Sequence, residues 1–294
     1  MVVLGRGQPL LVIPGLQGRW QWMLPGIRAL AAHRRVITYS LAGDGEDLLP
    51  LVATRFDDLV RQARNALARA GVSRATVCGV SYGALIATRL AARHPELVSS
   101  LVLASPLPPD FVPDARVRRL IRHPRLLAPG FLAAAPARTL PEIRCARPDD
   151  WPACAATMLA LVARWPQSPV RMAERIRWLA DESLVGDARQ VRCRTLIITG
   201  VDGLDLVVPP RSSLRYRRLI PHAEAMTLPD TGHFGIVTRP EAFARLIAGR
   251  DGPPGRPAST GHDPAFTGGP AADQGRRRGQ GRPGEPSLPW GDLT

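Results

Sequence analysis

Six short apolar runs occur before residue 230, and segments of helical period fall between most of them. The runs are 10–13 (LLVI), 35–39 (RVITY), 76–80 (TVCGV), 100–104 (SLVLA), 195–199 (TLIIT) and 224–228 (EAMTL). Each is the length of a strand. Between the second and third runs, Phe56, Leu59, Val60, Ala63, Leu67 and Ala70 recur at helical spacing, with Gly71 placed to stop the helix. Strands that alternate with helices cannot be joined by hairpins. They predict an α/β fold, a mostly parallel central sheet flanked by helices.

The alternation breaks once. No strand pattern lies between 106 and 190, where Asp149 with Pro152 opens one helix and Ser168 with Pro169 another. Met172, Ile176 and Leu179 give the second of these an apolar stripe. A core of 1–105 and 191–250, interrupted by a helical insertion at 106–190, is the expected division. Residues 251–294 are rich in Gly, Pro and Arg and almost free of aliphatic side chains. Such a segment cannot bury enough apolar surface to offset its ordering entropy, which predicts a disordered tail.

The formal net charge of +14 invites a nucleic-acid partner. The pattern argues against one, because all 39 basic residues are arginine and they are spread along the chain. The densest group, Arg116, Arg118, Arg119, Arg122 and Arg125, reads as the wet face of a helix. No run approaches the roughly 18 apolar residues of a membrane span. The N-terminal residues carry no leader pattern, and the four cysteines form no CxxC pair. Reduced thiols and a cytoplasmic location are expected. No Cys/His cluster or phosphate-cradling loop is present, so no metal or cofactor is expected.

The residues with chemical promise sit at strand ends. In GVSYG (79–83) a serine closes the third run, with a glycine two places to either side. A strand-to-helix corner that exposes a hydroxyl forces strain on the serine and leaves no room for neighbouring side chains. Ser81 is therefore a candidate nucleophile, although a helix-capping serine would look similar. Such a hydroxyl needs a base. Of the histidines, His33, His94, His123 and His222 fall at helix ends or in loops, and His262 lies in the tail. His233 stands apart, in a loop between Gly232 and Gly235 just before a helix that begins at Pro240. The loop after the run at 195–199 offers Asp202 and Asp205 as partners for that imidazole.

In this order the landmarks PGLQG (14–18), GVSYG (79–83), TGVDGLDLVVP (199–209) and TGHF (231–234) resemble the α/β-hydrolase fold superfamily, in its capped serine hydrolase group. The resemblance spans about 220 residues. It implies a catalytic Ser81, Asp205 and His233, since the family's acid lies four residues before the proline of a D-x-x-V-P stretch. It implies an oxyanion hole from the backbone N–H groups of Leu16 and Tyr82, with Gln17 as an alternative to Leu16. Two departures stand out. Pro14 replaces the histidine common in relatives, and only Met1 to Leu4 precede the run at 10–13, where relatives have two strands.

By this resemblance the chain is expected to be a carboxylesterase-like serine hydrolase. It would cleave an ester, thioester or amide of a small organic substrate through an acyl-enzyme. Its partner would be a small acyl substrate, chosen by the insertion, whose Trp151, Met158, Leu161, Trp165 and Trp178 are candidates for an acyl pocket or for helix packing. Acyl transfer and C–C bond hydrolysis use the same triad, and a ligand receptor can share the fold.

Overall fold

The computed structural model describes residues 1–44, 55–180, 182 and 184–249. The expected tail at 251–294, His262 included, lies outside them. Seven strands form one sheet: β1 (Val2–Leu4), β2 (Pro9–Ile13), β3 (Arg35–Thr38), β4 (Ala75–Val80), β5 (Val98–Ala104), β6 (Arg194–Thr199) and β7 (Glu224–Thr227). Their spatial order is β1-β3-β2-β4-β5-β6-β7. Only the pairing of β1 with β3 is antiparallel. Every apolar run of the sequence is a strand. The short segment ahead of them supplies the antiparallel edge strand β1, too brief to show a period of its own.

Alternation along each strand divides the core in two. Leu11, Ile13, Val77, Leu101, Leu103 and Ile197 face one side, beneath α2 (Phe56–Arg69) and α3 (Gly83–Arg93). Leu10, Val12, Cys78, Val102 and Ile198 face the other, beneath α1 (Leu24–Ala31) and a C-terminal helix at Pro240–Ala248. The helix predicted from Phe56 onward is α2, and Gly71, at φ +64°, follows its end. The left-handed region is open to glycine, so the chain turns out of the helix there.

Between β5 and β6 lie α4 (Ala115–Arg122), α5 (Pro124–Ala133), α6 (Ala135–Ala146), α7 (Trp151–Arg164), α8 (Pro169–Arg177) and α9 (Leu184–Gln190). The Ser168 hydroxyl caps α8 by accepting from the Arg171 N–H at 3.3 Å. Arg118, Arg119, Arg122 and Arg125 are exposed, as the wet-face reading expects, while Arg116 is half-buried. α9 packs against α3, placing Leu184 and Ala188 in the core beneath the sheet. After β6 come α10 (Pro210–Ser213) and α11 (Tyr216–Leu219), and after β7 come α12 (Gly235–Thr238) and α13 (Pro240–Ala248).

The strand order reverses direction between β2 and β4: β3 lies to one side of β2, and β5 to the other side of β4. In an open parallel sheet such a reversal opens a crevice at the carboxyl ends of the two strands. The loops carrying Leu16, Ser81, Asp205 and His233 all leave the carboxyl ends of parallel strands.

One buried ion cluster binds the helical layer together. The Arg89 side chain on α3 is fully buried and donates to Asp187 (2.5 Å), Glu182 (2.5 Å) and Asp57 (2.7 Å). Its guanidinium also lies 4.8 Å over the Phe56 ring. Removing the Arg89 guanidinium leaves the buried Asp187 with the more distant Arg93 (3.1 Å) as its ion-pair partner and Glu182 without its 2.5 Å contact, while Asp57 keeps Arg93 and solvent. Arg89→Ala is therefore expected to lower unfolding stability by about 3 kcal/mol, read as a fall in the urea midpoint.

Candidate active site

Ser81 occupies the corner between β4 and α3 with φ +53°, a left-handed conformation that a non-glycine residue adopts only under constraint. The constraint is visible. The Ser81 N–H donates to the Ala104 carbonyl at 2.9 Å, and its carbonyl accepts from Ala84 (3.0 Å) and Leu107 (3.2 Å). Side chains beside it are excluded by contact. A Cβ on Gly79 would stand 2.4 Å from the Gly83 carbonyl oxygen, and one on Gly83 would stand 2.5 Å from the carbonyl oxygens of Ile13 and Pro14. The glycines let α3 start directly against β4 and β2, which lifts the serine to the crevice. The helix start also favours negative charge developing beside Ser81.

The loop after β2 runs alongside. The Gly18 N–H donates to the Gly15 carbonyl at 3.0 Å, closing a four-residue turn that contains Leu16 and Gln17. Among the hydrogen bonds of the described residues, neither the Leu16 nor the Tyr82 N–H is a donor. Leu16, Gln17, Ser81 and Tyr82 line one cavity. Proline at 14 leaves the loop beside the serine, with the Gly15 Cα turned so that an added Cβ would meet the Ser81 Cβ at 3.4 Å.

Asp205 and His233 meet. The His233 Nδ1 lies 3.1 Å from Asp205 Oδ2. The other carboxylate oxygen, Oδ1, accepts from the N–H groups of Val207 (3.0 Å) and Val208 (2.7 Å). Asp205 is buried, whereas Asp202 is exposed and stands outside this contact. The approach depends on Gly232, where a Cβ would lie 2.2 Å from the Leu204 carbonyl oxygen. Burial disfavours the charged imidazole. The Asp205 carboxylate, by charge and hydrogen bond, and the Glu142 charge more than offset that and raise the His233 pKa above its ordinary value. His233 and Ser81 share the cavity wall, and no Ser81–His233 hydrogen bond is present among the described residues.

Two charged side chains from the helical segment hold these loops, and the sequence pattern did not single them out. Glu142 on α6 is fully buried. Its carboxylate accepts from the Phe234 N–H (2.9 and 3.0 Å) and from the Thr238 hydroxyl (3.0 Å), bracketing the residue after His233. Burial pushes the Glu142 carboxyl above its usual range, while the Phe234 and Gly232 N–H groups, Thr238 and His233 work against that. Arg175 on α8 does the same for the other loop. Its guanidinium donates to the Leu16 carbonyl at 2.8 Å, to the Ala42 carbonyl at 3.2 Å and to the Asp44 carboxylate. The Tyr82 hydroxyl donates to the Arg175 carbonyl at 3.1 Å. The only signal in the sequence was an acidic and a basic residue on the apolar faces of their helices.

Of the candidates for an acyl pocket, Met158 and Leu161 line the cavity. Trp151 and Trp165 instead lie under the guanidinium groups of Arg144 and Arg164, and Trp178 packs on the core. Trp22 donates its indole N–H to the Trp165 carbonyl at 2.9 Å and so ties the helical segment to the loop region after β2. Among the described residues, no three His, Cys, Asp or Glu side chains gather as a metal site would require.

A family model described as the alpha/beta hydrolase fold matches residues 8–240. The provisionally named carbamate hydrolase RutD of Klebsiella pneumoniae (strain 342) is 30% identical over 247 residues, covering 82% of this chain and 90% of that protein. The like-named protein of Escherichia coli (strain K12 / DH10B) is 28% identical over 245 residues, covering 81% and 89%. Among solved structures, an esterase from Exiguobacterium antarcticum superposes with a TM-score of 0.70 at 20% identity, covering 84% of this chain and 93% of that one. An enol-lactonase from Burkholderia xenovorans LB400 does so with a TM-score of 0.69 at 20% identity, covering 84% and 94%. At such identity the likeness is one of fold.

The charge of Glu142 near His233 has a measurable consequence. It stabilises the imidazolium, so Glu142→Gln is expected to lower the His233 pKa, seen as a titration midpoint at lower pH in the imidazole NMR signals. An unchanged or higher midpoint would show that the carboxylate is not ionised beside the ring.

Proposed function

The chain belongs to the alpha/beta hydrolase fold family, and we propose that it is a serine hydrolase of acyl compounds working through Ser81, His233 and Asp205. The observation that supports this best is the 3.1 Å contact of His233 with a buried Asp205, on the wall of the cavity that also exposes the strained Ser81. Asp205 fixes the tautomer with the proton on Nδ1, which leaves Nε2 as the base.

In the proposed reaction, the Ser81 oxygen attacks the substrate carbonyl as His233 takes its proton. The Leu16 and Tyr82 N–H groups receive the developing oxyanion; one such donor is worth roughly 3 kcal/mol in other enzymes. Collapse of the tetrahedral species expels the leaving group, which takes the proton from the imidazolium. Water, activated by the same nitrogen, attacks the acyl-enzyme, and the acid leaves while Ser81 recovers its proton. Esters, thioesters, amides and carbamates all present such a carbonyl. The carbamate assigned in name to the 30% identical relative is therefore within the chemistry.

The pH dependence has a definite sign. Only neutral His233 accepts a proton, and its pKa is raised. The rate should therefore fall as pH drops, with a midpoint above the roughly 6.5 of free imidazole. Reaction with a fluorophosphonate probe tests the nucleophile. Wild type is expected to be labelled and Ser81→Ala not, and Asp205→Asn is expected to lose about 10⁴-fold in kcat while Asp202→Asn changes little. Equal labelling of Ser81→Ala would refute the assignment.

A further inference from the structure

We propose that the substrate carries a large apolar acyl group, of about eight carbons or more, housed between the sheet and the helical segment; this rests on the serine hydrolase reading above. The cavity at Ser81 and His233 has a volume of about 1530 Å³. Sites for ordinary small ligands span roughly 300–1,000 Å³. Free carbamate, an ion the size of acetate, would leave almost all of this space to water.

The walls make that occupancy unfavourable. From the helical segment, Val117, Phe131, Leu140, Ile143, Val162 and Met172 turn apolar side chains inward. Cavities lined by aliphatic and aromatic groups hold water poorly, because the water finds too few hydrogen-bond partners. Filling them with hydrocarbon removes apolar surface from water on both sides of the contact.

The rim points the same way. Val112, Leu132 and Leu159 line the cavity and yet stand 75%, 43% and 70% exposed. Apolar side chains of this size, left in solvent at a cavity mouth, suit a ligand whose hydrocarbon passes between them. The carbonyl end has its own polar partners at Ser81 and the Leu16 loop; Asp110, Arg138, Arg211 and Arg215 also reach the lining, but most of the remaining wall is apolar and is left for the acyl chain.

Chain-length dependence tests this. Each buried methylene is worth up to roughly four-fold in binding. For p-nitrophenyl acetate, butyrate, octanoate and dodecanoate, below the concentrations at which they aggregate, kcat/KM is expected to rise by about ten-fold or more from butyrate to octanoate. Ala155 lines the same cavity from α7. Ala155→Trp would fill part of it and is expected to lower the dodecanoate-to-acetate ratio of kcat/KM by about ten-fold. Should that variant not fold, the wild-type series decides alone. Acetate turned over as fast as octanoate, or free ammonium carbamate hydrolysed while every ester is slow, would overturn the substrate class. Ser81→Ala run beside the series separates the two ideas. Loss of all ester hydrolysis without a length preference leaves the serine mechanism standing and removes only the acyl class, whereas hydrolysis that persists in Ser81→Ala removes the mechanism.

Discussion

Everything at this site depends on a corner the backbone resists. Ser81 sits at φ +53° because β4 must end and α3 must begin within a residue or two of the β2 carboxyl end. The strain persists only because the surroundings over-determine it. Hydrogen bonds from the neighbouring strand and loop hold both ends of the residue, and glycines at 79 and 83 remove the side chains that would push the helix away. The same close packing brings the loop after β2 beside the serine. A strand-to-helix connection with more room would lose both the exposed hydroxyl and the adjacent donors.

The loops carrying His233 and Leu16 are each anchored from the helical segment by one buried charge. Arg175 reaches down to the Leu16 carbonyl, and Glu142 to the Phe234 N–H. Buried charges are costly unless their hydrogen bonds are met. Here the partners are backbone groups of the two loops whose placement the proposed chemistry requires. Arg175 is further neutralised by Asp44, whose carboxyl is itself pushed up by burial and pulled back by the guanidinium. The helices that enclose the cavity are thus fastened at both halves of the candidate machinery, so their position bears on the reactive groups as well as on the size of the cavity.

Much of this was legible in the chain. All six apolar runs are strands of the parallel part of the sheet, the first five largely buried and the last, β7, an edge strand with Glu224, Ala225 and Thr227 exposed. GVSYG and TGHF carry their geometry in their glycines, because only a residue without a side chain survives contacts of 2.2–2.5 Å. The preference for Asp205 over Asp202 came from the family's spacing; in the structure it is Asp205 whose carboxylate meets His233, in a loop closed by the Val207 and Val208 N–H groups. The anchors were not legible. Glu142 and Arg175 lie 92 and 159 residues from the loop residues they hold, and a charge on the apolar face of a helix does not say which distant backbone it will meet. Nor could composition give the size of the cavity, because the same apolar side chains would also make a filled helical bundle. The three tryptophans weighed between an acyl pocket and helix packing make core-packing or cation contacts.

The central claim is that Ser81 becomes covalently acylated by a substrate whose hydrocarbon fills the cavity. Mass spectrometry of peptides from an acid-quenched reaction with p-nitrophenyl dodecanoate measures this directly. A dodecanoyl adduct is expected on the peptide containing Ser81, formed within the first turnover and lost as product appears. Turnover with no adduct on that peptide, or an adduct carried by a different residue, would contradict it.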